Sequence, residues 1–233
     1  MSTYKLSNLI RARFPMIYIT TFEEDRVTKY IKSVVTDVKQ VKYEREVFTW
    51  TQTAGLYNDT LKKAVPDTSC PCKMLEYVRK YDKDAVFIIY DFHVNFGPKN
   101  RTPDYNVIRK IRDIVPDLKL GTVRKTLFFV APELLIPESL QKEITIYDFP
   151  LPTLAEIRAK FDNMLNQNTS VKTELNEEEK DKLCKAALGL TLQEAESAFA
   201  LAMVNDGKID MQDLPIILEE KFKLLKKQGF LNS

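Results

Sequence analysis

Apolar and polar residues fall in blocks along this chain, and the length of each block separates strands from helices. Residues 85–92 read Ala-Val-Phe-Ile-Ile-Tyr-Asp-Phe. A short apolar run rich in Val, Ile and aromatics is the pattern of a strand buried on both faces of a parallel sheet. Polar stretches at 80–84 and 93–103 bound it too tightly for a helix. Runs at 14–20, 46–53, 125–131 and 143–148 predict four more strands. Between them the period changes. Val27, Tyr30, Ile31, Val34, Val35 and Val38 recur three and four apart, which predicts a helix directly after the first strand. Leu6, Leu9 and Ile10 give a shorter helix over 4–12, starting at Tyr4. Met74, Leu75, Val78 and Tyr81 give another, and Val107, Ile108, Ile111, Ile114 and Val115 a third over 104–115. The stretch after Thr53, with Gly55, Pro66 and Pro71, reads as loop. Strands alternating with helices imply βαβ units and a mostly parallel sheet.

The pattern shifts at Phe149-Pro-Leu-Pro152, where two prolines end the sheet region and mark a hinge. The reading divides the chain into an α/β domain, 1–150, and a helical domain, 151–233. Four helices are expected in the second. Thr153-Leu-Ala-Glu156 and Thr191-Leu-Gln-Glu194 are capping boxes, Asn176 caps a helix that stops at Gly189, and Asp213-Leu-Pro opens one that stops near Gly229. Thr21-Phe-Glu-Glu24 reads as a capping box for the first long helix. A helical domain of about eighty residues has little independent stability, so it is expected to dock on the sheet domain.

Composition narrows the partners. Lys plus Arg number 35 against 33 for Asp plus Glu, so no global charge draws the chain to nucleic acid or anionic lipid. The lysines at 221, 223, 226 and 227 read as a solvated face. No stretch is long and apolar enough to span a membrane, and the first residues lack the apolar core of a secretory signal. Cys70, Cys72 and Cys184 form no disulfide framework, which suits a reducing compartment such as the cytoplasm. Cys70-Pro-Cys72 with His93, the one histidine, lacks a fourth ligand and the usual zinc spacing, so no metal site is expected.

Asp91 falls at the carboxyl end of the central strand, where open α/β sheets place ligands. It reads either as a magnesium ligand or as a strand-end polar residue. The second reading is favoured because Phe92, not a water-activating Glu, follows it. A phosphate loop needs glycines, a Lys and a Ser or Thr. The corresponding stretch, Thr20-Thr-Phe-Glu-Glu-Asp-Arg26, has no Gly and no Lys, and three carboxylates fill the helix's first turn. Arg109 and Arg112 share an outward stripe of their helix, either solvated or contacting another subunit.

Five segments together resemble the N-terminal region of the plastid- and cyanobacterial-type AAA+ ATPases: Thr20-Thr-Phe-Glu-Glu-Asp-Arg26, Ile89-Tyr-Asp-Phe-His93, Ile108-Arg-Lys-Ile-Arg-Asp113, Phe149-Pro-Leu-Pro152 and Gly189-Leu-Thr-Leu-Gln-Glu194. The resemblance implies a five-stranded, mostly parallel AAA-like sheet domain with a C-terminal four-helix lid. It makes Thr20, Thr21 and Asp91 a vestigial nucleotide site, with no catalytic residue assigned. It makes Arg109 and Arg112 interface residues. In that family the region precedes a second AAA+ module that carries the phosphate loop. Here the sequence ends before one, as a shortened form or a free-standing first module would. The implied role is a non-catalytic module that docks on an AAA+ module in cis or trans, or on itself, without a cofactor. The alternative is an ATPase using ATP with magnesium at an atypical site around Asp91. A nucleic-acid accessory protein is the third reading, disfavoured by the charge balance.

Overall fold

Side chains two apart on a strand share a face, and this parity decides where each helix of the sheet domain packs. The computed structural model describes residues 5–227 and 229. Its strands are β1 (Met16–Thr20), β2 (Glu46–Thr51), β3 (Gly55–Asn58), β4 (Lys63–Ala64), β5 (Ala85–Tyr90), β6 (Lys125–Ala131) and β7 (Ile144–Ile146), in the order β4-β3-β2-β5-β6-β1-β7. Pairing is parallel except at β3 and β4. Ile17 and Ile19 of β1, Val86 and Ile88 of β5, and Phe128 and Val130 of β6 face α1 (Leu6–Arg11), α2 (Glu24–Val35) and α3 (Val38–Val41). The alternate residues Met16, Tyr18, Phe87, Ile89, Leu127 and Phe129 face α4 (Pro71–Lys80) and α5 (Tyr105–Leu120). All six residues of β5 are buried, as its unbroken apolar run requires.

The sheet has seven strands, not five. The two extra ones come from the stretch read as loop. Gly55, at φ +75°, turns the chain back on β2. Thr68 then holds the returning segment: its hydroxyl accepts from the Leu56 amide and donates to the Val65 carbonyl, both at 2.8 Å, while its own carbonyl accepts from Trp50 Nε1 at 2.7 Å. The Thr21 capping box does not form. The Thr21 hydroxyl accepts from the Glu23 amide instead, and α2 begins at Glu24. Val38 lies outside α2 and is exposed, because Asp37 caps the separate short α3. Helix α5 continues through Pro116 to Leu120, five residues past the expected end at Val115. The start of α1 expected at Tyr4 lies outside the described residues.

The chain divides into two compact units, Met1–Phe149 and Pro150–Ser233. The second contains α6 (Leu154–Gln167), α7 (Glu177–Ala186), α8 (Leu192–Asp206) and α9 (Leu214–Lys227), packed around Phe161, Leu183, Phe199 and Ile217. Capping boxes at Thr153, Asn176 and Thr191 start the first three of these helices. Helix α7 ends at Ala186, short of Gly189, and a 3-10 turn over Met211–Asp213, capped by Asp210, precedes α9. A two-stranded parallel ladder, β8 (Lys172–Thr173) with β9 (Lys208–Ile209), was not legible in the sequence.

Candidate functional site

The helix after β1 lies on one face of the sheet and the helix after β5 on the other, with β6 between the two strands. Strands β1 and β5, one on each side of β6, thus send their chains to opposite faces, and at the carboxyl ends of such diverging strands α/β proteins bind ligands. Here β6 holds both chains. Its Ala131 carbonyl accepts from the Thr21 amide, and its Val130 carbonyl accepts from the Asp91 amide, each at 2.9 Å. Thr20, Thr21 and Asp91 therefore meet around the end of β6. Asp91 adopts φ +55°, ψ +28°, a left-handed conformation that Asp tolerates, as the chain turns into the 3-10 helix Phe92–Phe96. Its carboxylate is exposed and caps nothing.

The surroundings are acidic. The Glu24 carboxyl is pushed up by burial, then by the charges of Asp91 and Asp25. The Tyr18 hydroxyl donates to the Glu133 carbonyl oxygen and accepts from the Leu135 amide. Its pKa is pushed up to about 12, mainly by burial, with Glu133 and Asp91 adding to the rise. His93 Nε2 stands 3.9 Å from a Glu133 carboxylate oxygen.

Only three residues, Thr21 to Glu23, join β1 to α2. Phe22 points to solvent, 79% exposed, while Glu23 is 9% exposed. The Glu23 carboxylate receives Nε and Nη2 of Arg26 at 3.0 and 2.6 Å, and the guanidinium lies 4.1 Å from the centre of the Phe149 ring. Phe149 in turn packs on Tyr30, whose hydroxyl meets that of Tyr147 at 3.0 Å. These residues form a closed aromatic and ionic plug beside the start of α2. The sequence reading missed Arg26 and Phe149. The three-residue spacing of Glu23 and Arg26 was the available signal, since such pairs meet on a helix.

The turn between β1 and α2 differs from a phosphate cradle. A phosphate cradle needs a longer, glycine-containing turn so that backbone amides can surround the anion. This turn has neither feature, and its nearest carboxylates carry the same sign as phosphate. A depression of about 430 Å3 lies instead at the opposite, amino ends of β2 and β5, beside Glu44, Arg45, Lys83 and Asp84.

Other candidates are dispersed. Arg109 and Arg112 are exposed on α5, and Arg109 pairs with Asp113 one turn on. Among the described residues no three His, Cys, Asp or Glu side chains gather as a metal-holding group, so Cys70, Cys72 and His93 do not come together as one. Two buried or half-buried cations serve the fold. The Lys125 ammonium donates to the Val78, Arg79 and Tyr81 carbonyls at 2.8–2.9 Å and closes the end of α4. Arg13 does the same for α5, donating to the Leu118, Gly121 and Val123 carbonyls.

A parallel sheet with this strand order, helices on both faces and a following helical unit defines an α/β fold of the P-loop NTPase type. The Thermotoga maritima RuvB Holliday junction branch migration motor shares it at a TM-score of 0.50 and 12% identity, over 88% of this chain and 61% of that one. The chain belongs to the SpoVK-like AAA ATPase family: the family's N-terminal domain matches residues 2–149 and its second domain residues 155–228. Similar curated proteins are the uncharacterized AAA domain-containing ycf46 proteins of Guillardia theta, Trieres chinensis and Pyropia yezoensis, at 30%, 27% and 26% identity over 96–98% of this chain. The chain spans only 41–44% of their length. Among the described residues no helix is long and apolar enough to cross a membrane.

Proposed function

We propose that this chain is a non-catalytic AAA-like interaction module. It docks on an AAA+ ATPase module, in the same polypeptide or a separate one, or on a second copy of itself, and the helical unit acts as its lid domain. The observation that carries this reading is the three-residue link between β1 and α2, with Glu23 buried against Arg26 where a phosphate loop would stand. The ycf46 relatives extend well beyond the matched region, which leaves room for an ATPase module in the rest of their length. A second reading is an atypical nucleotide site. It is favoured by one feature, the placement of Thr21 and Asp91 on adjacent carbonyls of β6.

Calorimetric titration of the chain with ATP and magnesium separates the two readings. The interaction module gives no heat of binding at millimolar-range ligand and releases no phosphate above background. Magnesium-dependent binding or turnover that disappears in Asp91→Asn would overturn the first reading and establish the second. Binding that survives that substitution would place a nucleotide elsewhere on the chain.

A further inference from the structure

The two thiols at the start of α4 have no part in the nucleotide reading. Cys70 occupies the N-cap position, exposed, and its carbonyl accepts the Met74 amide that begins the helix. Pro71 is the first helical residue, and Cys72, half-buried, packs against the core beneath α4. Both flanks are fixed. Upstream, the hydrogen bonds of Thr68 anchor the chain two residues before Cys70. Downstream, Met74, Leu75 and Val78 bury the helix. The proline ring removes one further backbone freedom between the cysteines. The thiols thus stand on pre-ordered backbone, one accessible and one sheltered. Redox-responsive cysteines share this arrangement of an accessible thiol beside a resolving one.

We propose that Cys70 and Cys72 form a thiol–disulfide exchange site that reacts with low-molecular-weight disulfides such as oxidised glutathione. Cys70 is the attacking thiol because it is solvent-exposed. Its thiolate displaces one glutathione thiolate, which takes up a proton, and leaves a mixed disulfide on Cys70. Cys72 then gives up its proton to solvent and attacks the Cys70 sulfur. The mixed bond breaks, the internal disulfide forms, and a second glutathione leaves as its thiol. The chain loses two electrons and two protons, and the oxidant gains them as two thiols. Burial raises the Cys72 pKa, with the Cys70 charge as the next cause. Cys72 is therefore a slow first nucleophile and a resolving one only when a mixed disulfide is already in place. Cys184 is buried in the other unit, its thiol pushed up to about 12 by burial, and stays reduced.

The test equilibrates the native chain in glutathione buffers from fully reducing to fully oxidising. The protein is then unfolded in excess alkylating agent and weighed intact. The reduced chain takes three alkyl groups, one for each cysteine of the sequence. The oxidised chain should take one, with the disulfide mapped to the 70–72 peptide. Cys72→Ser should stop at a stable glutathione adduct on Cys70, and Cys70→Ser should react far more slowly. Three alkyl groups across the whole range would overturn the proposal. So would a wild-type chain that accumulates the glutathione adduct without closing, or a Cys70→Ser variant that reacts as fast as wild type. Thermal melting of both variants confirms that the compared chains are folded.

Discussion

Glu24 is the residue at which the acidity of the candidate site can be measured. Its carboxyl is pushed up by burial first, then by Asp91 and Asp25. A carboxyl with a folded pKa above its unfolded one contributes stability that is complete below the ordinary Glu range. That contribution is lost as the pH rises through the raised value. Above that value the chain has lost it. Glu24→Gln keeps the shape and drops the charge, so its melting temperature should equal wild type in acid and exceed it at neutral pH. The gain is small, about 0.3 kcal/mol, because the carboxyl is only partly desolvated on a residue that is otherwise exposed, and solvent screens it. A difference that stays constant with pH would show that Glu24 does not feel Asp91. Glu23, one residue earlier, has the opposite character. It is buried and holds Arg26, which in turn stacks on Phe149, the last residue of its unit. Two adjacent carboxylates thus serve different ends: one completes a plug, the other leaves unneutralised charge beside it.

At the scale of elements, α5 is the most instructive, because it continues where its sequence says stop. Pro116 has no amide to offer the Arg112 carbonyl, and its ring crowds that group. Both residues are exposed, so the carbonyl can turn to water and the helix can bend outward. Val115 and Leu118 keep the following turn buried, and Arg13 closes the far end. Pro116→Ala should restore the missing hydrogen bond. The helix-interior penalty of Pro, about 3 kcal/mol, is partly relieved where the freed Arg112 carbonyl can reach water, and Pro also stiffens the unfolded chain. A net stabilisation of roughly 1 kcal/mol is expected from chemical denaturation; an unchanged or lower midpoint would mean that the proline ring itself packs usefully. The same contest explains what was legible. Five strands and the amphipathic helices were visible because long apolar blocks and three-four spacing are local signals. Strands β3 and β4 were not, because four- and two-residue strands depend on Thr68, a partner ten or more residues from Gly55–Asn58, rather than on their own pattern. The candidate site was half legible. Asp91 and Thr21 could be placed at strand ends. The Arg26–Phe149 contact could not, because it joins residues from opposite ends of the sheet domain's sequence.

For the whole molecule, the proposed role stands on contact with another module, and α5 presents the groups that can make it. Among the described residues Arg112 has no ion-pair partner, and Arg109 is held only by Asp113 on the same exposed helix face. An exposed pair one turn apart is worth about 0.3–0.5 kcal/mol, so a partner's carboxylate can capture Arg109 at little cost. The pairing also lowers the Asp113 carboxyl, with the Arg109 hydrogen bond as the leading cause. Asp113 therefore stays charged at neutral pH whether or not Arg109 is taken. Reversing both arginines, Arg109→Glu with Arg112→Glu, puts two negative charges beside it. The fold should tolerate this, since surface substitutions change stability by roughly ±0.5 kcal/mol, and like charges one turn apart cost a similar amount. Association is where the change should register. Loss of two charge contacts at an interface should weaken binding about tenfold or more, equivalent to about 1.4 kcal/mol. Sedimentation velocity, with the chain alone and with a separately produced AAA+ module, reads the effect, and melting temperature controls for folding. The weakening should also shrink as salt is raised, because exposed charges are screened. If the reversed variant associates as wild type does, with itself and with the ATPase module, α5 is a solvated face. The docking surface must then be sought elsewhere on the chain.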